Sequence, residues 1–418
     1  MDFKDTCLQI DSIFRIALSW QDRNKLISLF KAYLQETLVH YNVVLYMQNL
    51  TELVRQIVEV CLDVKDEENI WVHSWDHTID LASEVAFACR QRGAHPFVTL
   101  LTENYWMRSL LEIPKKLLEI LPPHEAAALG QTNVFIFMLG PRNPIDWNKI
   151  PPEKQELANV WYFDSNKYLG KWREIAQRCS IRTLGIEYCL VTKERAEALG
   201  LEYDQWKKVM LAGCLANQKD IAQKATQLAS IIEKGNQVHV QTPFGTNLEF
   251  KLAGRKPIVS DSIVNKEDAA KGVVKFLPSG CVEVAADESS VDGTVVYDIP
   301  ILVIGAKRIK GLTLEFKQGK VVNYSAQTEL NAFESYLKST QGDMNRFGFF
   351  GMGLNPELKH GFTQDDKVLG GVTIGIGGNE DKGGKNKTSG NRHWWASMTQ
   401  ATVQIDKRLV LKNGVPSF

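Results

Sequence analysis

The residue types most suited to chemistry gather late in this chain. The string Gly377-Gly378-Asn379-Glu380-Asp381-Lys382-Gly383-Gly384-Lys385-Asn386 is followed closely by Arg392-His393-Trp394-Trp395. Glycine and asparagine concentrate where a chain turns at positive φ, or where backbone must come close to a ligand. A histidine beside two tryptophans then follows, so this is loop chemistry next to a candidate site. Most of the residue types that a metal or hydrolytic centre needs are nevertheless absent from the surrounding strings. Farther upstream His73 and His77 stand four apart beside Asp76. His73 ends an apolar run and His77 opens a helix, so the two share no helix face and read as a turn. That turn is expected to face a cleft between domains, with Asp76 as a helix cap. His40, His124 and His239 have no partners in sequence and read as surface residues.

The elements that must position these residues change in texture along the chain. Residues 1 to 56 read as helical throughout, with Leu26, Leu29, Phe30, Tyr33, Leu34 and Leu38 at helical spacing and little Gly or Pro. This is a helical extension, packed on a neighbouring domain or subunit. Residues 57–235 alternate. A short apolar strand at Ile70–His73 leads to an amphipathic helix from Ile79 to Arg92, stopped by Gly93. Further strands follow at His95–Leu101, Asn133–Gly140 and Arg182–Tyr188. Strand, helix, strand at this spacing gives an open, largely parallel α/β sheet. No GxGxxG or Walker loop opens a helix there, which argues against a nucleotide site.

A long helix is expected from Tyr203 to Glu233, and β character takes over beyond it. Gln237–Thr242 and Asn247–Leu252 alternate about the turn Pro243-Phe244-Gly245-Thr246, so they form a hairpin. More β segments follow at 282–285, 293–297, 301–305, 311–317, 320–325 and 370–375. Residues 236–418 therefore make a β-rich α+β domain.

Composition sets outer limits. At 418 residues two domains are the natural expectation. The formal net charge is zero, from 49 basic and 49 acidic residues, which gives no support for a nucleic-acid or anionic-membrane partner. No apolar run is long enough to span a bilayer, and Met1-Asp2-Phe3-Lys4-Asp5 lacks the layout of a signal peptide. Seven dispersed cysteines without a CxxC pair read as free thiols in a reducing, cytoplasmic compartment.

Several strings, in order, resemble the thermophilic metalloprotease family of aminopeptidases, the aminopeptidase T type. They are Gly93-Ala94-His95-Pro96, Thr242-Pro243-Phe244-Gly245-Thr246-Asn247-Leu248 with Gly254-Arg255, and Leu277-Pro278-Ser279-Gly280. They continue with Val291-Asp292-Gly293-Thr294, Gly351-Met352-Gly353-Leu354-Asn355-Pro356 and Asp366-Lys367-Val368-Leu369-Gly370-Gly371. The resemblance covers roughly residues 57 to 418. It implies a two-domain fold, a homodimer around an internal cavity, and a two-metal site that removes N-terminal residues from peptides. Two such ions polarise the scissile carbonyl and generate hydroxide.

The chain departs from the family at the ligand positions. Cys281 stands in place of the Glu after Leu-Pro-x-Gly, Phe349 in place of the second Glu, and Thr373 in place of the strand His. His393 matches the His of the final His-x-Asp pair, but Trp395 takes the Asp position, and the family's catalytic Tyr falls on Glu380. Phe349 and Trp395 cannot bind metal. Glu283, Asp287, His360, Asp365, Glu380 and Asp381 lie near the old positions and could rebuild a site, or be solvated loop charges.

Three readings follow. In the first, Cys281 and His393 converge as nucleophile and base of a hydrolase for peptides or peptide-like amides, with Glu380 or Glu283 orienting the imidazole. In its variant, Cys281 and His393 hold a single divalent ion (zinc, cobalt or iron). The family's relatives include an iron-dependent dihydroxypyridine dioxygenase, so its cavity accepts other metals. In the third, the fold is a non-catalytic binder of peptides or small molecules. Phe349, Trp394 and Trp395 then form an aromatic pocket for apolar or cationic groups, with Asn386 among the substrate contacts.

Overall fold

A computed structural model describes residues 48–158 and 167–418. The helical reading of residues 1–47 lies outside the described residues. Leu53–Phe418 form one compact unit.

The first layer is a parallel sheet. Strands β1 (Asn69–Trp75), β2 (His95–Leu101), β3 (Val134–Met138) and β4 (Arg182–Ile186) take the order β2-β1-β3-β4-β8, where β8 is Val274–Leu277. All four pairings are parallel. Helix Ile79–Gln91 makes the crossover from β1 to β2 and buries Leu81, Ala82, Val85 and Cys89. The fifth strand comes from beyond residue 235, so the chain re-enters the parallel sheet after its first β hairpin.

The helix expected over 203–233 is two helices, Tyr203–Leu215 and Gln218–Lys234. The break comes at Asn217, whose side chain accepts from the Asp220 N–H and caps the second helix. Asp76 does not cap the helix expected of it: its carboxylate accepts only from the His77 N–H, 3.0 Å away.

The hairpin of β5 (Gln237–Gln241) and β6 (Asn247–Lys251) forms as the alternation predicts. It sits in an eight-stranded sheet, β14-β13-β10-β6-β5-β18-β19-β20. The other members are β10 (Asp292–Val296), β13 (Thr313–Lys317), β14 (Lys320–Ser325), β18 (Thr402–Ile405), β19 (Arg408–Lys412) and β20 (Val415–Pro416). A second, five-stranded sheet runs β17-β16-β15-β9-β7. Its strands are β7 (Ile258–Ser260), β9 (Cys281–Ala285), β15 (Phe347–Gly353), β16 (Val372–Gly377) and β17 (His393–Met398). β11 (Ile301–Val303) and β12 (Lys307–Ile309) form a separate ribbon.

One apolar core joins the two antiparallel sheets. Val282, Val284, Phe350, Met352, Val372, Ile374, Ile376, Trp394, Ala396 and Met398 meet Val238, Val240, Leu248, Phe250, Val295, Leu314 and Val403 there. Because side chains alternate along a strand, the residues between these point to the other face of the five-stranded sheet. That face carries the candidate site.

Candidate active site

Register fixes the layout of this outer face. One row runs Glu283–Gly351–Thr373–Ser397 across β9, β15, β16 and β17. The next runs Ala285–Phe349–Gly375–Trp395, and a third begins Gly377–His393. Phe349 is buried, and its ring fits only because position 375 has no side chain. A Cβ on Gly375 would lie 2.2 Å from Phe349 Cε1. The Phe349 ring meets His393 edge-on, with centroids 5.4 Å apart at 86°.

The glycine-rich string is a loop folded over this face and pinned by amides. Asn379 is fully buried. Its Nδ2 donates to Gly348 O (2.8 Å) and Glu288 Oε1 (3.1 Å), and its Oδ1 accepts from Asn386 N (2.9 Å). Asn386 Nδ2 donates to Phe347 O (2.8 Å) and Gly377 O (3.0 Å). A Cβ on Gly384 would fall 2.0 Å from the Asn379 amide carbon, so this turn admits only glycine. Glu288 completes the clamp by accepting from Lys385 N (2.5 Å) and pairing with Arg255 (2.6 Å).

The loop delivers Lys382 onto the face. Its Nζ lies 3.0 Å from Glu283 Oε2, 3.2 Å from Asp381 Oδ2 and 4.7 Å from the Phe349 ring centroid. Burial works against its charge, but Glu283 and Asp381 outweigh that and raise its pKa above the ordinary lysine value. A second buried lysine, Lys367, pairs with Glu187 at 2.5 Å and donates to Pro278 O at 3.0 Å.

Cys281, Glu283 and Asp366 form the face's cluster of donor atoms, all within 4.8 Å of one another. Cys281 Sγ is 4.0 Å from Asp366 Oδ2. Burial, then Glu283 and Asp366, push the Cys281 thiol far up, so it stays protonated. Burial raises Asp366 to about 7, with Lys367 opposing the shift and Glu283 adding to it. Beside these rows an apolar cleft of about 270 Å³ opens along the β17 edge. Leu199, Ile299, Ile301, Leu302, Phe362, Thr363, Asp365 and the β17 residues Trp394, Trp395, Ala396 and Ser397 line it. Trp395 and Ser397 belong to both cleft and face.

Several residues singled out in the sequence stand elsewhere than expected. Cys281 and His393 are not brought together: β15 and β16 separate their strands, and they lie toward opposite ends of the face. His393 Nδ1 is buried without a hydrogen-bond partner, and burial, then Lys382, lower its pKa. Glu380 is exposed and lies 3.8 Å from Lys387, so it orients no imidazole. Asn386 spends its amide on backbone carbonyls. Trp394 packs its ring on the inner face against Tyr297 and Phe333, and it also borders the cleft beside Trp395. His360 lies 3.8 Å from Asp365, and Asp287 accepts from Ser289 Oγ at 2.8 Å. His77 Nε2 lies 3.2 Å from Cys189 O. The residues not weighted in the sequence are Asp366, Lys367 and Lys382. Only a burial signal could have found them, since surface lysines and aspartates have the same composition.

The donor set does not fit two divalent ions. Phe349 and Trp395 offer no lone pair, Thr373 spends its hydroxyl on Ser397 Oγ at 2.7 Å, and Glu283 is paired with Lys382. Three neighbouring donors serve one ion at most.

A parallel sheet followed by an antiparallel sandwich, with a polar cluster on one sandwich face, defines a mixed α/β and β protein. The chain belongs to the thermophilic metalloprotease (M29) family, whose model matches residues 46–348. The match ends one residue before Phe349. No curated protein matches the chain. Among solved structures it is similar to wild-type AmpT from Thermus thermophilus, at 16% identity and a TM-score of 0.65, over 89% of this chain and 100% of that one. It is also similar to 2,5-dihydroxypyridine dioxygenase from Pseudomonas putida KT2440, at 15% identity and a TM-score of 0.58, over 88% of this chain and 96% of that one. At these identities the likeness establishes the fold.

Proposed function

We propose that the chain is an aminopeptidase-like hydrolase of peptides or peptide-like amides, with a centre that works through carboxylates in place of a metal pair. The grouping of Cys281, Glu283 and Asp366 within 4.8 Å carries this reading. It sits where the resemblance puts the first metal ligand. Asp366, raised to about 7, carries a proton for part of the time at neutral pH and can give it to a leaving amine. Glu283 takes a proton from water as the water oxygen attacks the amide carbonyl. The C–N bond breaks as Asp366 protonates the nitrogen, and the two carboxyls then exchange their proton through solvent. The cleft along Trp395 receives an apolar side chain of the substrate. The same reading takes the protein as a cytoplasmic homodimer, which sedimentation at several concentrations tests for assembly.

Full-length protein should be assayed against a panel of aminoacyl p-nitroanilides, before and after chelator. The expected result is chelator-resistant turnover that falls on the order of a hundredfold or more in Asp366→Asn. Turnover abolished by chelator and restored by metal would overturn it. A second reading, a non-catalytic binder, is favoured by Phe349 and Lys382 filling the face. Absent turnover with a peptide-induced rise in Tm would select that reading.

A further inference from the structure

Lys382 is out of place for a lysine, which is almost never buried unless paired. It is 8% exposed, sits on a loop pinned by two buried asparagines, and ends between two carboxylates and an aromatic face. Two carboxylates converging on one point, capped by the negative face of a ring, make a cation site. Here the cation is covalently attached. Phe349 fits this arrangement: it has no donor for a metal ion, but its ring face attracts an ammonium. Gly375 leaves the room in which that ring lies. Thr373, in the row of Glu283, is hydrogen-bonded to Ser397 Oγ at 2.7 Å and has no imidazole to offer a metal.

We infer that the Lys382 ammonium is the resident cation of this site, occupying the place of a divalent ion and excluding one. A third N–H of the ammonium remains to donate to a ligand's carbonyl or carboxylate oxygen. The ammonium is thus the anion-binding element of the face, which rests on the reading of that face as the ligand site. Exclusion of metal is independent of that reading.

The test is metal binding, read without activity. Chelator-stripped full-length wild type, Lys382→Ala, Lys382→Met and Lys382→Ala/Glu283→Gln are dialysed against zinc, and separately against cobalt, with metal counted by elemental mass spectrometry. Tm is followed with and without zinc. Wild type should hold no stoichiometric metal and show no zinc-dependent shift. Lys382→Ala should gain near-stoichiometric zinc and a rise in Tm, and the double variant should lose both. Lys382→Met, which keeps the volume without the charge, serves where the alanine variant fails to fold, and it too should gain zinc. Stoichiometric, chelator-removable metal in wild type would overturn the inference, and so would folded Lys382 variants that gain none. If the hydrolase reading fails, turnover is absent while this metal pattern stands.

Discussion

Glu288→Gln tests how the glycine-rich loop is held. Glu288 is nearly buried, pairs with Arg255 through both oxygens at 2.9 and 2.6 Å, and accepts from Lys385 N and Asn379 Nδ2. Burial works against its ionisation, but Arg255 and the two N–H donors outweigh that and bring its pKa from 4.5 to about 2. A depressed folded pKa contributes stability above the unfolded value, and that stability is lost as pH falls through the folded value. The window therefore runs from pH 4.5 down to about 2. The shift is worth about 3 kcal/mol, of which about 2 kcal/mol is gone by pH 3. Urea unfolding of wild type and Glu288→Gln, at steps from pH 7 to pH 3, isolates this contribution, because the other carboxyls are common to both. The variant should be less stable by about 3 kcal/mol at pH 7, and the gap should close as pH falls. A gap that stays constant with pH would refute the argument.

Three further outcomes are expected. Gly375→Ala should cost about 1–3 kcal/mol in urea unfolding by forcing the Phe349 ring aside, and Phe349→Leu in the same chain should recover most of it. Additive losses would mean that the ring and Gly375 are not coupled. Asp366 has a folded pKa above its unfolded one, so its ionised form opposes folding as pH rises from 3.8 to about 7. Asp366→Asn should therefore raise the urea midpoint at pH 8 and leave it near wild type at pH 3; equal effects at both would count against it. Asn386→Ala should strand the Phe347 and Gly377 carbonyls and lower stability by about 1–3 kcal/mol for each lost bond. A ligand-affinity change without any fall in Tm would instead make Asn386 a binding residue.

The hairpin of β5 and β6 was legible because alternation and a Pro-Phe-Gly-Thr turn are local signals. The strands between residues 69 and 186 are legible as short apolar runs set between helical and turn signals. The break at Asn217 was present as a cap signal, an asparagine with an acid three residues on, but helical periodicity on both sides masked it. β15 carries no strand signal in the sequence. Phe347-Gly348-Phe349-Phe350-Gly351-Met352-Gly353 is buried on both faces, so it has no alternation to detect. Expecting Cys281 beside His393 required a register that no local pattern contains.

By itself the sequence determined the kind of many segments and the resemblance to one family, and it placed residues without metal-binding side chains at Phe349 and Trp395. These are properties of residue type and near spacing. Tertiary structure alone decided which charges enter the site. Lys382 meets Glu283 across 99 positions of sequence and Lys367 meets Glu187 across 180. Such pairs exist only once strand register and a pinned loop remove water from around them. In the chain alone each is one charged residue among 98. Burial turns a few of them into a site, because only there does an unpaired charge cost more than folding can sustain.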